Sequence, residues 1–166
     1  MNVFLDLEET IIDDWFSCNF LFQNIKNIEK MIKKFSISFD NKIATSENIN
    51  LILFSAAVIN QKDLDRFNNM IKPVIEEHLS FKFKSEFLFS NNNIKNLVEN
   101  NGIKMLPNDH ISDIFNLNVK EQIFKLISIE NETNVLFDDT VIENSVETLF
   151  DDSFEDKKTI KICVKV

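Results

Sequence analysis

The sequence predicts an α/β fold in which one domain is built on a doubly wound, mainly parallel sheet of about five strands with helices on both faces. Short, wholly apolar runs indicate buried strands, and segments with helical spacing of apolar residues lie between them along the whole chain. Strands that alternate with helices favour parallel pairing, because a parallel connection needs a crossover and that crossover is usually a helix. The 166 residues are enough for one domain with its own core, so we take 1–166 as that domain.

The first half of the chain predicts two strands and two helices. Residues 2–7 and 50–55 are apolar runs that end in polar residues, as expected of buried strands that open onto a site. Between them, apolar side chains from 20 to 35 recur at helical spacing with charged residues in between, which indicates an amphipathic helix. Residues 61–79 also have helical character, and Pro73 must end or kink that helix.

The middle of the chain predicts a strand, a short helix and a further strand. Residues 83–89 begin with alternating aromatic and charged side chains and then turn apolar, which is typical of a strand that is half exposed at first. The polar run 90–93 can cap a short helix, which the Asn-Gly pair at 101–102 would close. The apolar run 103–106 predicts another strand before Pro107.

The last third predicts two helices and two strands. Asn118 and Glu121 have the spacing of a capping box at the start of a helix. Residues 134–138 form a buried strand that ends in acids, and residues 142–150 are predicted to be helical. Residues 159–165 close the chain as a strand with alternating apolar side chains on one face.

The composition excludes several classes of function. Gly102 is the only glycine, whereas dinucleotide-binding and P-loop motifs need several glycines to approach phosphates closely. The net charge is −9 and no basic stripe is present, so general nucleic-acid binding is not expected. No apolar run is long enough to span a bilayer, so no membrane association is expected. Cys18 and Cys163 make no disulfide framework, and we therefore expect a cytoplasmic protein with reduced thiols.

Three of the predicted strands end in chemically useful groups. The first leads into the run D-L-E-E-T at 6–10, the second ends in Ser55, and the strand from 134 ends in Asp138 and Asp139. Lys120 lies just inside the predicted start of the helix that precedes this last strand. In doubly wound sheets ligands bind beyond the carboxyl ends of the strands, so these groups are expected to converge on one site.

The order of these groups resembles the four motifs of the haloacid dehalogenase superfamily, and specifically its small or capless phosphatase-type members. D-L-E-E-T at 6–10 is similar to the family's D-x-D-x-T, and L-I-L-F-S is similar to its second strand, which ends in Ser or Thr. Lys120 stands where the family has a lysine at a helix start, and V-L-F-D-D is similar to its acidic pair. The resemblance spans nearly the whole chain and implies a Rossmann-like fold, with 13–46 as room for a small cap insertion at most.

The resemblance implies a magnesium-dependent phosphohydrolase that works through an aspartyl-phosphate on a small organic phosphate or a nucleotide. Asp6 would be the nucleophile and a magnesium ligand, and Glu8 would stand where the family has its general acid/base Asp. Asp138, with Asp139 close by, would complete the metal site. Mg²⁺ is the cofactor implied, because it prefers oxygen ligands and neutralises charge on a transferring phosphoryl group.

The phosphoryl group itself would be bound by Ser55 and Lys120 in this resemblance. A lysine adds a fixed positive charge, and the helix start beside it adds backbone donors. Lys104 and Lys125 are rivals of Lys120 for this role. The expected partner is a small-molecule phosphate, and a protein partner is left open.

Two residues depart from the family's pattern. Glu8 replaces Asp and makes the acid/base arm one methylene longer, and a displacement of about 1 Å can cost roughly 100-fold in rate. Glu9 replaces a small residue, often Gly, and adds negative charge beside a site for an anion. These departures leave open a catalytically weak binding or interaction protein that retains the metal or phosphate site. A further alternative is an acidic protein that occupies a basic partner.

Overall fold

Six strands form one mixed sheet in a computed structural model, which describes residues 1–102, 119–140, 145–150 and 158–166. The strands are β1 (Asn2–Leu5), β2 (Asn50–Leu53), β3 (Phe83–Glu86), β4 (Thr133–Asp138), β5 (Ser145–Phe150) and β6 (Lys158–Lys165). Their order across the sheet is β3-β2-β1-β4-β6-β5. The first five strands of that order run parallel, and β5 pairs antiparallel with β6 at one edge. The predicted Rossmann-like α/β class, with a mainly parallel sheet, is therefore confirmed.

Five α-helices are described. They are α1 (Phe22–Asp40), α2 (Gln61–Arg66), α3 (Lys72–Leu79), α4 (Asn91–Asn100) and α5 (Val119–Ile127). A π-helical segment (Phe67–Ile71) joins α2 to α3, and Pro73 lies in the first turn of α3. Because proline has no N–H to donate to the preceding turn, the predicted interruption of this helix takes the form of a widened turn. No helix in the described ranges combines the length and apolar character that a membrane crossing needs.

Helices cover both faces of the sheet. Alternate residues of each strand point to opposite sides, so each strand can contribute to two cores. On one face Val3 and Leu5 of β1 pack into a core shared with α1, α2 and α3. On the other face Phe4 packs against Phe124 of α5, with ring centroids 5.2 Å apart in an edge-on arrangement. The second core also takes Ile94 and Val98 from α4. The chain is thus wound in two layers around the sheet, as the alternating apolar runs predict.

A row of asparagine side chains crosses the amino ends of the three central strands. Asn50 Nδ2 donates to Asn2 Oδ1 at 3.0 Å, and Asn2 Nδ2 donates to Asn134 Oδ1 at 3.3 Å. Asn134 Nδ2 in turn donates to the carbonyl of Ile129 at 2.9 Å. Asn2 and Asn134 are buried, so these amides satisfy one another in place of water. The row joins β2, β1 and β4 through their side chains as well as their backbones.

The prediction of a helix over 142–150 is wrong where the structure describes that segment. Residues 145–150 form β5, which pairs along its whole length with β6. A short segment rich in apolar residues cannot be assigned by its spacing alone, and Val146 and Thr148 are β-branched residues that favour strands. Pairing with β5 also covers an edge of β6 that would otherwise expose a row of unpaired backbone groups.

Other predicted elements agree with the structure or lie outside the described residues. The first helix is longer than predicted and ends at Asp40, and the strand predicted at 83–89 is shorter, since β3 ends at Glu86. Ser90 caps α4 as predicted, and Gly102 follows that helix with a φ of 80°. The run 103–106 and the capping residue Asn118 lie outside the described residues. Within 13–46, the stretch allotted to a small cap, α1 packs on the sheet with Ile25, Ile28 and Ile32 buried.

Candidate active site

The candidate site lies where the chain changes direction across the sheet. From β1 the chain proceeds outward to β2 and β3, and it then returns to the other side of β1 as β4. This arrangement makes a topological switch point between β1 and β4. Asp6 directly follows β1, and its backbone N–H donates to the carbonyl of Phe137 at 3.1 Å, beside the terminal Asp138 of β4. Ser55 follows β2 on the other side, so three strand ends bring Asp6, Asp138 and Ser55 together.

Lys120 reaches this point from α5. Its ammonium nitrogen lies 2.8 Å from Oδ2 of Asp6 and 2.6 Å from Oδ2 of Asp138. The position follows from packing, because Lys120 is one helical turn before Phe124, which contacts Phe4. Phe4, Asp6 and Asp138 share the face of the sheet that α5 covers, so a lysine on this side of the helix meets both carboxylates.

Both ion-paired carboxylates are buried. Asp6 is 3% exposed and Asp138 is 1% exposed. Oδ1 of Asp138 accepts hydrogen bonds from the backbone N–H of Thr140, at 2.7 Å, and from the hydroxyl of the same residue. Oδ2 of Asp138 has the Lys120 ammonium as its partner, at 2.6 Å.

Asp139 adds a third carboxylate. One oxygen from each of Asp6, Asp138 and Asp139 lies within 4.8 Å of the others. With Lys120 beside them, the four side chains carry a formal charge of −2 (three negative charges and one positive). A buried excess of negative charge is costly unless a cation balances it.

The ionisation of these groups reflects burial and mutual repulsion. Burial raises the pKa of Asp6, and the charge of Asp138 raises it further. Lys120 and a hydrogen bond from Ser55 lower this pKa, but the net change is a rise. Burial lowers the pKa of Lys120, but the charges of Asp6 and Asp138 outweigh this and raise it overall, so the ammonium stays protonated. The pKa of Asp139 rises to about 6, because burial, the charge of Asp138 and a hydrogen bond with Glu9 all favour its protonated form.

The two residues that depart from the family's pattern are both held in place. Glu8 Oε1 accepts a hydrogen bond from the backbone N–H of Trp15 at 2.8 Å, which fixes the longer arm at one oxygen. Glu9 has a φ of 56°, in the left-handed region that costs little for glycine and more for other residues. The small residue expected there by resemblance would meet this backbone requirement more easily than Glu9 does.

A pocket of about 370 Å³ lies beside the carboxylates of Asp6 and Asp139. Asp6, Asp139 and Lys120 form part of its lining. The remaining wall is formed mainly by carboxylates: the lining is completed by Glu8, Glu9, Asp13, Asp14, Ala56 and Thr140.

The loop 13–19 forms part of that wall and is closed by its own side chains. Asp13 accepts hydrogen bonds from the hydroxyl of Ser17 at 2.7 Å and from the backbone and side chain of Asn19 at 2.8 and 2.7 Å. Asp14 accepts from the backbone N–H groups of Phe16 and Ser17 at 2.8 and 2.9 Å. The loop is therefore a hydrogen-bonded turn in which each of the two acids accepts several bonds.

The structure brings together the residues that the sequence singles out. Asp6, Ser55, Lys120, Asp138 and Asp139 surround one point, and Glu8 lines the adjoining pocket. Their chemical roles remain predictions.

The rivals of Lys120 do not share its position in the described structure. Lys125 lies 3.6 Å from Glu121, its neighbour one turn away on α5. Lys104 lies outside the described residues.

Sequence reasoning missed Thr140, Asp13 and Asp14. Thr140 follows Asp138 by two residues, a spacing at which a hydroxyl and a backbone N–H often bond back to an aspartate. In the sequence, Asp13 and Asp14 are a weaker sign of a functional site, since a pair of acids after an apolar run is common in solvated turns. Only the path of the loop shows that they face the same pocket as Glu8.

Comparisons of the chain with protein-family models, with curated proteins and with solved structures found no match.

Proposed function

We propose that this chain is a magnesium-dependent phosphohydrolase of the haloacid dehalogenase type, with Asp6 as its nucleophile. One observation carries the proposal: two buried aspartates at the switch point of a doubly wound sheet share a single lysine, Lys120. Carboxylates and a lysine at this location are the groups needed to bind a metal and a phosphoryl group together. A purely structural ion pair would not require a third carboxylate beside it, as Asp139 provides.

The donor set fits magnesium. Asp6, Asp138 and Asp139 offer only oxygen atoms, which Mg²⁺ prefers, and no His or Cys belongs to the group in the described ranges. Oδ2 of Asp138 faces the Lys120 ammonium, at 2.6 Å, and a bound cation would share this oxygen with the lysine. A divalent cation together with Lys120 would balance the three negative charges. When bound, magnesium would neutralise charge that develops on the transferring phosphoryl group.

The first chemical step would form a covalent intermediate on Asp6. One carboxylate oxygen of Asp6 attacks the phosphorus of the ester, a new P–O bond forms, and the bond from phosphorus to the leaving oxygen breaks. Glu8, in its protonated form, gives its proton to that leaving oxygen. Lys120 would donate to the phosphoryl oxygens once the carboxylates that it now neutralises are balanced by metal, and the hydroxyl of Ser55 would add a further donor.

The second step would release phosphate. Glu8, now a carboxylate, takes a proton from water, whose oxygen attacks the phosphorus of the aspartyl-phosphate. The bond to Asp6 breaks, and inorganic phosphate leaves. The hydrogen bond from Trp15 holds one oxygen of Glu8, which supports the same carboxyl group acting in both steps.

The test is a phosphatase screen with magnesium over a panel of esters that includes p-nitrophenyl phosphate. Asp6→Asn should abolish turnover, because an amide oxygen does not attack phosphorus. Asp65→Asn, an exposed aspartate on α2, is the matched control and should retain wild-type activity. Wild-type turnover no greater than the Asp6→Asn background, with protein shown to be folded and metal-loaded, would reject the proposal.

One observation favours the alternative of a binding protein with a weak or absent activity. Glu9 hydrogen-bonds to Asp139 and so occupies one of the three candidate metal ligands. In that case the wild type would bind Mg²⁺ and a phosphate-bearing ligand but would turn over no ester. The same screen, combined with a magnesium titration, separates the two candidates.

A further inference from the structure

Arg66, the last residue of α2, contacts the loop 13–19 at three of its residues. The guanidinium carbon lies 4.8 Å from the centre of the Trp15 ring, in a cation–π contact. Nη2 donates to the backbone carbonyl of Phe16 at 3.3 Å and lies 3.8 Å from Sγ of Cys18. Arg66 is the only arginine in the chain, and its side chain is spent on this loop.

The helix end that carries this arginine is packed in the core. Arg66 lies between Leu64 and Phe67, which are both buried. A guanidinium group is planar and has five N–H donors, so it can stack on a ring and donate from its edge together, which a lysine ammonium cannot do. The hydrogen bonds of Asp13 and Asp14 close the loop on itself, whereas those of Arg66 attach it to a helix of the core.

The loop in turn holds Glu8. The backbone N–H of Trp15 donates to Oε1 of Glu8 at 2.8 Å, and the ring of the same tryptophan is the surface that Arg66 covers. An oxygen of a carboxyl group accepts such a bond whether the group is protonated or ionised, so the bond can persist through both chemical steps. A displacement of Trp15 would therefore displace the group proposed to transfer the proton.

We infer that Arg66 is a positioning residue for Glu8 and acts through Trp15. This inference rests on the proposed phosphohydrolase function and assigns to it a residue outside the pocket lining. Without Arg66 the loop would keep its internal hydrogen bonds but lose its attachment to α2, and the donor to Glu8 would no longer be held in place. A displacement of about 1 Å can cost roughly 100-fold in rate, so a residue that touches no substrate can limit turnover.

Arg66→Met tests the inference with p-nitrophenyl phosphate, whose leaving group needs no proton. We expect kcat to fall about tenfold or more and phosphoenzyme to accumulate, because only the second step then needs Glu8 as a base. The ratio kcat/KM, which reports the first step, should stay near the wild-type value. Lys62→Met removes an exposed charge from the same helix and should change neither quantity. A wild-type kcat in Arg66→Met, or an equal fall in kcat and kcat/KM, would overturn the inference.

A charge-conserving variant separates positioning from the effect of a nearby positive charge. Arg66→Lys keeps the charge but cannot stack on Trp15 and donate to Phe16 together, so kcat should fall nearly as far as in Arg66→Met. A wild-type kcat in Arg66→Lys would show that charge alone matters and would reject a positioning role.

A double variant separates positioning from general loosening of the fold. In a Glu8→Gln background, Arg66→Met should cause no further fall in kcat, because no base is left to misplace. Residues that act through one another show such non-additive losses, whereas independent ones add. Additive losses would therefore show that Arg66 does not act through Glu8.

A signal from Trp15 separates failure of this inference from failure of the proposed function. Trp15 is the only tryptophan, so labelling of tryptophan with an NMR-active nitrogen isotope gives one backbone amide resonance. Its hydrogen bond to a carboxylate moves the amide proton downfield, and we expect both Glu8→Ala and Arg66→Met to move it upfield. If Arg66→Met moves it although no ester is hydrolysed, the link to Glu8 stands and the hydrolase proposal alone fails. A resonance at its wild-type position in Arg66→Met rejects the inference, whatever the activity.

Discussion

Lys120 and Asp138 form an ion pair of 2.6 Å that links the first turns of α5 to the carboxyl end of β4. The same ammonium group lies 2.8 Å from Asp6, so one lysine is the counter-ion of two buried carboxylates. Without metal this lysine stabilises the cluster, and in the proposed enzyme it would also bind phosphate. The two tasks compete for one side chain, and the competition can be measured.

Lys120→Met should destabilise the metal-free protein. Asp6 and Asp138 would lose their shared counter-charge, and breaking a buried pair in this way costs about 3–5 kcal/mol before protonation of a carboxylate relieves part of it. Thermal unfolding in the presence of a chelator measures the loss. Addition of Mg²⁺ should raise the Tm of the variant by more than it raises that of the wild type, since metal would then be the only counter-ion. Lys26→Met, at an exposed position on α1, should change neither quantity.

Glu8→Gln should separate the two chemical steps. The glutamine carbonyl can still accept from Trp15, but the side chain cannot take a proton from water. With a good leaving group such as p-nitrophenolate, the first step should proceed and phosphoenzyme should accumulate, while steady-state turnover falls by about 100-fold or more. Rapid-quench measurement of phosphoenzyme checks this. Loss of the burst together with turnover would contradict this, since it would show that the first step already requires Glu8 even with a good leaving group.

Glu8→Asp tests whether the longer arm is a handicap. The substitution restores the residue of the family's pattern and shortens the arm by one methylene. If the arm is too long, kcat should be preserved or should rise. A fall in kcat comparable with that of Glu8→Gln would instead show that the rest of the site is adapted to glutamate, including its bond from Trp15.

The stability of the metal-free protein should depend on pH through Asp139. Its pKa rises from the ordinary value of 3.8 to about 6 in the folded state, so the folded protein binds this proton more tightly than the unfolded chain does. The resulting penalty is complete above about pH 6 and is lost as the pH falls through about 6 towards about 4. Asp139→Asn should therefore raise Tm in chelator at neutral pH, and its advantage should shrink as the solution is acidified. A variant less stable than wild type at neutral pH would contradict this assignment.

Asn134→Ala should destabilise the fold without touching the pocket. It removes the acceptor of Ile129 N–H, at 3.1 Å, and the partner of the buried Asn2 amide. Buried groups left without partners cost about 1–3 kcal/mol each, so we expect a loss of about 2 kcal/mol or more in denaturant unfolding. Asn27→Ala, which removes one exposed contact with Gln23, should have little effect.

The fold was predictable because its central strands are short, carry apolar runs and are separated by long amphipathic segments. The prediction of a helix over 142–150 was wrong because the spacing of apolar residues in so short a segment does not distinguish a helix from a strand. Only the pairing with β6 shows that 145–150 is a strand. The strand-end residues Asp6, Ser55 and Asp138 could also be predicted, because parallel strands present their carboxyl ends on one edge of the sheet.

The outer part of the site could not be predicted in the same way. The positions of Asp13 and Asp14 depend on a hydrogen-bonded turn, and the contact of Glu9 with Asp139 depends on a left-handed backbone angle. Neither feature follows from apolar spacing or from the ends of regular elements. The acidic character of the pocket wall therefore emerges only from the structure.

The asparagine row at the amino ends of the strands contributes to the register that decides which side chains meet at the opposite ends. If β4 slid by one residue along β1, Asp138 would turn to the other face of the sheet from Asp6, and no single lysine could reach both. Such a slip would also separate the amides, which pair only where a donor faces an acceptor, as between Asn2 and Asn134. These neutral groups lie roughly 13 Å from the carboxylates, at about 3.3 Å per residue along the strand. Anyone who transplants the three central strands into another scaffold would have to carry the asparagines with them to keep the carboxylates aligned.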